Sequence, residues 1–211
     1  MLPKKFSLKS LVWVILVAAI GVPVALAATS PLLAWRGPVY ITACFAGIIA
    51  LALILLQPLL IGGYLSGLRA HLSRRAHRWI GAILVLAVII HIGGLWITSP
   101  PDVIDALLFS SPTPFSNWGV IAMWALFATA LLAIFRKRLN IGPQNWKFAH
   151  SILALVIVTG TVVHALLIEG TMETISKIIL CTLVIAASIT VIFPKKLRSN
   201  LRIWAKRILL R

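Results

Sequence analysis

The sequence predicts an all-α integral membrane protein, a six-helix transmembrane bundle with both termini cytoplasmic, on three observations. Of its 211 residues 61% are hydrophobic, and the mean hydropathy is +1.04; a soluble domain is nearer about 45–50% apolar. Only 11% of residues are charged, yet 20 Lys and Arg face 4 Asp and Glu, for a net charge of +16. That charge is gathered on alternate loops between apolar runs, not spread along the chain.

A membrane span needs about 20 apolar residues at about 1.5 Å rise each. Six segments qualify: 11–28, 39–61, 78–97, 119–135, 148–168 and 174–193. The first follows Lys4, Lys5 and Lys9. Its layout, with Ala25-Leu26-Ala27 at the end, also resembles a cleavable secretory leader. An apolar run of 18 residues exceeds the usual leader core, so a retained helix is expected. In the second span, Gln57-Pro58 is expected to bend the helix near its inner end. The fourth is the shortest, and the third and fifth carry the histidines. Beyond the sixth, Lys195 to Arg211 alternate basic and apolar residues at helical spacing, which predicts an amphipathic helix on the lipid of the inner leaflet. There is no internal repeat and no extended linker.

Orientation follows from the loops. Lys4, Lys5, Lys9, Arg69, Arg74, Arg75, Arg78, Arg136, Lys137, Arg138, Lys147 and the seven basic residues of the tail share one side, which makes 18 of 20. Arg36 and Lys177 remain on the other side, together with Asp102, Asp105, Glu169 and Glu173. Such asymmetry is the positive-inside pattern, and it accounts for the charge without nucleic acid. Trp35, Trp96 and Trp118 at the outer edge, and Trp79, Trp146 and Trp204 at the inner edge, fit interfacial belts. Cys44 and Cys181 lie singly inside apolar runs and read as packed thiols. No Cys-x-x-Cys-His occurs, so covalent c-type haem attachment is excluded.

The chemistry lies in the histidines. His77 and His91 are 14 residues apart in the third span, and so are His150 and His164 in the fifth. Fourteen residues at about 100° each come within roughly 40° of four full turns, so each pair shares a face, about 21 Å apart along the axis. The third and fifth spans run in the same direction. His77 is therefore level with His150 near the inner surface, and His91 with His164 near the outer one. A lone intramembrane histidine is more often a hydrogen-bonding partner for a neighbouring helix. Two matched pairs on parallel helices instead suit two bis-histidine, low-spin b-type haems, one in each leaflet. A bare metal ion fits less well, because the ligands on each helix are far apart and no acid lies within a span. His71 falls in the basic inner loop, outside this register.

Haem carboxylates require cationic or amide partners. Arg74, Arg75, Arg78 and Lys147 lie near the inner pair, and Arg36 is the cation before the second span on the outer side, suited to an outer propionate or an anionic acceptor. Gly81, Gly93, Gly94 and Gly160 on the histidine-bearing helices make room either for a flat macrocycle or for close helix packing.

The stretch His77-Arg78-Trp79-Ile80-Gly81 running to His91, with Trp146-Lys147-Phe148-Ala149-His150 running to His164, resembles the ferric reductase-like transmembrane domain superfamily. That superfamily includes ferric-chelate reductases, NADPH oxidases and the haem-binding membrane subunit of methionine sulfoxide reductase. The resemblance covers roughly residues 40–170. It implies a six-helix bundle with two non-covalent haem b groups passing electrons outward, His77 and His150 ligating the inner one and His91 and His164 the outer. With the spans read above, the chain is expected to divide into a first helix and outer loop (1–38), a ferric reductase-like haem-binding core (39–170), a sixth helix (171–193) and a basic amphipathic cytoplasmic tail (194–211). The resemblance also implies a multi-pass protein of a bacterial-type inner membrane. Relatives continue into a cytoplasmic flavin and nicotinamide domain, and these 211 residues contain no Gly-x-Gly-x-x-Gly loop. The expected donor is therefore a separate cytoplasmic flavoprotein reductase or a membrane quinol, with flavin on a partner or at the cytoplasmic face. The expected acceptor is a ferric chelate, dioxygen or a periplasmic redox partner. In size the chain resembles the methionine sulfoxide reductase subunit, but all four histidines align it with the general ferric reductase group. Two alternatives stand beside this reading: a cytochrome b561-like subunit of a dehydrogenase, and a non-redox scaffold or transporter whose histidines only pack.

Overall fold

The computed structural model describes residues 8–65 and 67–192. The expected tail helix over 194–211 lies outside the described residues. The helices follow in the order α1 (Leu8–Ala28), a 3-10 turn (Pro31–Leu33), α2 (Pro38–Ile61), α3 (Ala70–Thr98), α4 (Pro100–Leu107), α5 (Pro114–Phe135), α6 (Pro143–Leu167) and α7 (Thr174–Ile192). Among the described residues, all but α4 of the seven α-helices are long and apolar enough to cross a membrane.

Local chemistry sets the starts. Pro38, Pro100, Pro114 and Pro143 each sit in the first turn of their helix. There the absent N–H would have had no helical partner, and the ring presets φ. The helices also outrun their apolar windows. The third begins at Ala70 instead of residue 78, and the fifth span's helix at Pro143 instead of 148. Hydropathy marks the stretch that lipid must cover, while a helix can continue into the polar interface. His71 accordingly rides, exposed, on the first turn of α3 and not in a loop. Pro58 does not end α2, which continues to Ile61 and closes with the Gly62 N–H on the Pro58 carbonyl at 2.8 Å. The short α4 was not anticipated, although Pro100 at its start and Asp102 in its first turn are ordinary helix-start signals.

Two antiparallel hairpins, α2–α3 and α5–α6, form the principal packing units; α7 lies against α2 and α6, and α1 touches α7 and α2. The centre is filled by Leu51, Leu55, Leu84, Leu126 and Ile157 from the two hairpins and by Leu180, Cys181 and Val184 of α7. Each hairpin closes through a small residue. A Cβ on Gly94 would come within 2.7 Å of the Ala43 Cβ, and one on Gly160 within 2.9 Å of the Trp118 carbonyl. Between helices in lipid, such close approach and the dispersion it allows supply the association that hydrophobic burial cannot. Of the glycines singled out in the sequence, Gly94 and Gly160 therefore serve helix packing. Phe148, Ile134 and Ile97 are about 70% exposed, as side chains facing lipid would be.

Candidate functional site

Four of the five histidines project from α3 and α6 at two levels. At the level remote from the basic loops, His91 Nδ1 lies 2.8 Å from the Ala43 carbonyl of α2, and His164 Nδ1 lies 2.9 Å from the Phe115 carbonyl of α5. A carbonyl oxygen only accepts, so each Nδ1 carries the proton and donates it, leaving Nε2 with a free lone pair. That is the tautomer of a ligating imidazole, and the anchoring carbonyl fixes the ring's orientation. One turn beyond each carbonyl stands a glycine. A Cβ on Gly47 would lie 2.9 Å from His91 Nδ1, and one on Gly119 would lie 2.7 Å from His164 Nδ1. Both hairpins thus build the same device: a carbonyl that holds the imidazole, and a missing side chain that admits it.

At the other level, the His77 and His150 rings meet edge to face with centroids 6.1 Å apart and planes at 75°. His77 and His150 are thus the two side chains that would hold a metal-bearing group at this level. Trp146, one turn before His150, stacks on it at 5.2 Å with a 19° interplanar angle, and the Arg136 guanidinium sits 5.2 Å from the Trp146 ring centre. The sequence placed Trp146 in the interfacial belt and in the family-like stretch leading to His150, but assigned it no contact with that ring, although the i, i+4 relation was visible. Unlike the remote pair, His77 Nδ1 and His150 Nδ1 are buried without hydrogen-bond partners, as are both amide atoms of Gln57. Each such orphan costs about 1–3 kcal/mol unless something meets it. Arg78 lies exposed next to His77.

These residues fit haem. Imidazole nitrogens of this kind would hold haem iron, and the group would supply one-electron chemistry there. Among the described residues there is no cluster of three or more His, Cys, Asp or Glu, the set a bare ion would require.

Further groups occupy the remote end. Arg36, exposed, holds its guanidinium 4.6 Å from the Tyr40 ring centre. Lys177, a stray outer charge in the sequence, is only 6% exposed, and its Nζ donates to the Ile168 carbonyl at 2.8 Å. The Ile168 N–H in turn bonds the His164 carbonyl at 3.2 Å. A buried ammonium therefore closes the C-terminal end of the helix that carries His164, where the helix dipole favours a cation. Glu173 accepts the Ser176 and Ile175 N–H groups at 2.7 and 2.8 Å, and these bonds hold its carboxyl below the usual carboxylate range. Hydropathy and spacing singled out neither Gly47 nor Gly119, because what they clear lies on another helix.

Compared with known families, the chain matches the family model described as ferric reductase like transmembrane component over residues 42–161. His77, His91 and His150 fall inside the matched stretch, with Ala43, Gly47, Phe115 and Gly119, and His164 lies three residues beyond it. No curated protein and no solved structure matches the chain.

Proposed function

The chain belongs to the ferric reductase-like transmembrane family, and from that premise we propose that it carries electrons across a membrane through two b-type haems, one at each histidine level. Bound haem supplies one-electron chemistry at a potential that its axial ligands and surroundings set. The protein's part is to hold and tune. His91 and His164 present Nε2 from rings locked by the Ala43 and Phe115 carbonyls. His77 and His150 present a second pair about 21 Å away along their helices, most of the thickness of a bilayer core. Arg78 at one level and Arg36 at the other are the cations we assign to haem carboxylates.

By the positive-inside pattern, the end bearing 18 basic residues faces the cytoplasm, and both termini with it, in an inner membrane of bacterial type. Electrons enter there from a cytoplasmic flavin reductase, the usual partner of this family, or from a quinol. The dense positive charge suits the docking of an acidic flavoprotein and accelerates its encounter. They leave at the remote end to a ferric chelate, dioxygen or a periplasmic redox protein, with Arg36 favouring an anionic acceptor.

One observation carries this reading: both remote imidazoles commit Nδ1 to a backbone carbonyl and keep Nε2 free. Histidines that merely packed helices would have no need of matched anchors and matched glycine clearances. The test is the spectrum of the purified protein. A reducible b-type Soret band with the EPR signature of bis-imidazole low-spin iron is expected; colourless protein from haem-replete cells would contradict it.

A further inference from the structure

Gln57 is a polar side chain in an otherwise apolar stretch of α2, and its burial has no explanation within that helix. Its Oε1 and Nε2 are both buried without a partner. Its place is specific. Gln57 follows Ala43 by 14 residues on α2, and His77 precedes His91 by 14 on antiparallel α3. Gln57 therefore stands opposite His77 as Ala43 stands opposite His91. A Cβ on Gly81, one turn from His77 on the same face, would lie 3.6 Å from Gln57 Nε2, so the amide occupies the α2–α3 seam beside the histidine. The Gln57 main-chain carbonyl is the competing acceptor for this proton, although His77 Nδ1 has no hydrogen-bond partner.

A ligating histidine almost always gives its second N–H to an acceptor, which fixes the ring and raises its basicity. His91 and His164 have such acceptors in backbone carbonyls. We propose that Gln57 is the positioning residue for His77: its side-chain Oε1 accepts the Nδ1–H of His77 when that imidazole serves as an axial ligand. One such bond would satisfy two of the orphaned atoms, His77 Nδ1 and Gln57 Oε1. The amide O and N are interchangeable by a flip, so either face of the seam can present the oxygen. The consequence is functional. Both remote ligands are held by main chain, whereas His77 is held by a side chain, so the donor strength of the imidazole on the basic side depends on residue 57.

This inference rests on the haem reading above, and its test separates the two. Redox titration of the full-length protein should resolve two haem midpoints, the basic-side one being that which survives His91→Ala. In Gln57→Leu that midpoint should shift positive, because a less basic imidazole stabilises ferric iron less, and its EPR gmax should move. Gln57→Glu restores an oxygen acceptor and should bring the midpoint back to or below that of the parent. The remote midpoint should stay fixed in both variants. An unchanged basic-side midpoint in Gln57→Leu would assign the acceptor to the backbone carbonyl and overturn this proposal alone. Equal shifts in the Leu and Glu variants would reduce Gln57 to a packing role and overturn it likewise. If Gln57→Leu fails to fold, Gln57→Glu decides, and a positive shift there overturns the proposal. Protein without haem would overturn both readings.

Discussion

The two histidine levels are built differently, although the same two helices supply both. At the remote level each imidazole is tied to a main-chain carbonyl, and a glycine clears its path. At the basic level the rings stand edge to face with centroids 6.1 Å apart, Trp146 braces one of them, and Nδ1 of each remains without a partner. Main-chain anchors cannot be altered by substituting the anchoring residue, since every residue has a carbonyl. They can be blocked only by adding bulk. Side-chain supports can be altered one atom at a time. The remote site is therefore rigid and sterically fragile, and the basic-side site is adjustable and electronically sensitive.

The largest break in this comparison comes from filling the clearances. Gly119→Val places carbon where His164 Nδ1 now sits within 2.7 Å of a Cβ, so the ring must leave its carbonyl. Haem content should fall by about half, with the basic-side haem retained, as difference spectra would show. Gly47→Val should do the same through His91. Loss of both haems from either variant would mean that the levels are not independent.

A smaller effect is expected on the other side. Trp146→Ala removes the ring stacked on His150, an aromatic contact of about 0.5–1.5 kcal/mol beyond its buried area. The basic-side haem should then dissociate several-fold faster into apomyoglobin, while the remote haem exchanges at the parent rate. Faster exchange at the remote level instead would reverse the assignment of levels.

Lys177 sharpens the comparison electrostatically. A cation near a haem favours the reduced state, so Lys177→Met should lower the remote midpoint by on the order of tens of millivolts and leave the other in place. Lys177→Arg should keep the parent value. The smallest effect belongs to Glu173, which caps α7 at the same end. Its carboxyl is depressed by the Ser176 and Ile175 N–H groups, so the stability it adds is complete above the usual carboxylate range and is lost as pH falls through its lowered value. The Tm difference between the parent and Glu173→Ala should be constant at neutral pH and vanish in acid; a difference that persisted in acid would show that the carboxylate is not the cause.

Much of this was legible along the chain. Apolar runs located the six spanning helices, and the equal 14-residue spacing put His77 with His91, and His150 with His164, on one face of their helix, because both are properties of a single helix; the structure stands His77 beside His150. What escaped depended on pairs of helices. Gly47 and Gly119 matter through the ring on a neighbouring helix, and no periodicity within α2 or α5 announces it. Gln57 was visible beside Pro58 but was read as part of a bend, since its significance lies in the seam with α3. Lys177 read only as a stray outer charge at the start of the sixth span, because hydropathy cannot tell an ammonium at the lipid edge from one folded onto a neighbouring helix end. In lipid the inward and outward faces are both apolar, so the usual amphipathic cue to which face is buried is weak.

The central claim is that each level holds its own haem. Pyridine haemochrome analysis of the purified parent, His91→Ala and His77→Ala tests it most directly. Two haem b per parent chain and one per chain in each variant, with the surviving haem's midpoint differing between the two, is the predicted result. One haem in the parent, lost by both variants alike, would contradict it.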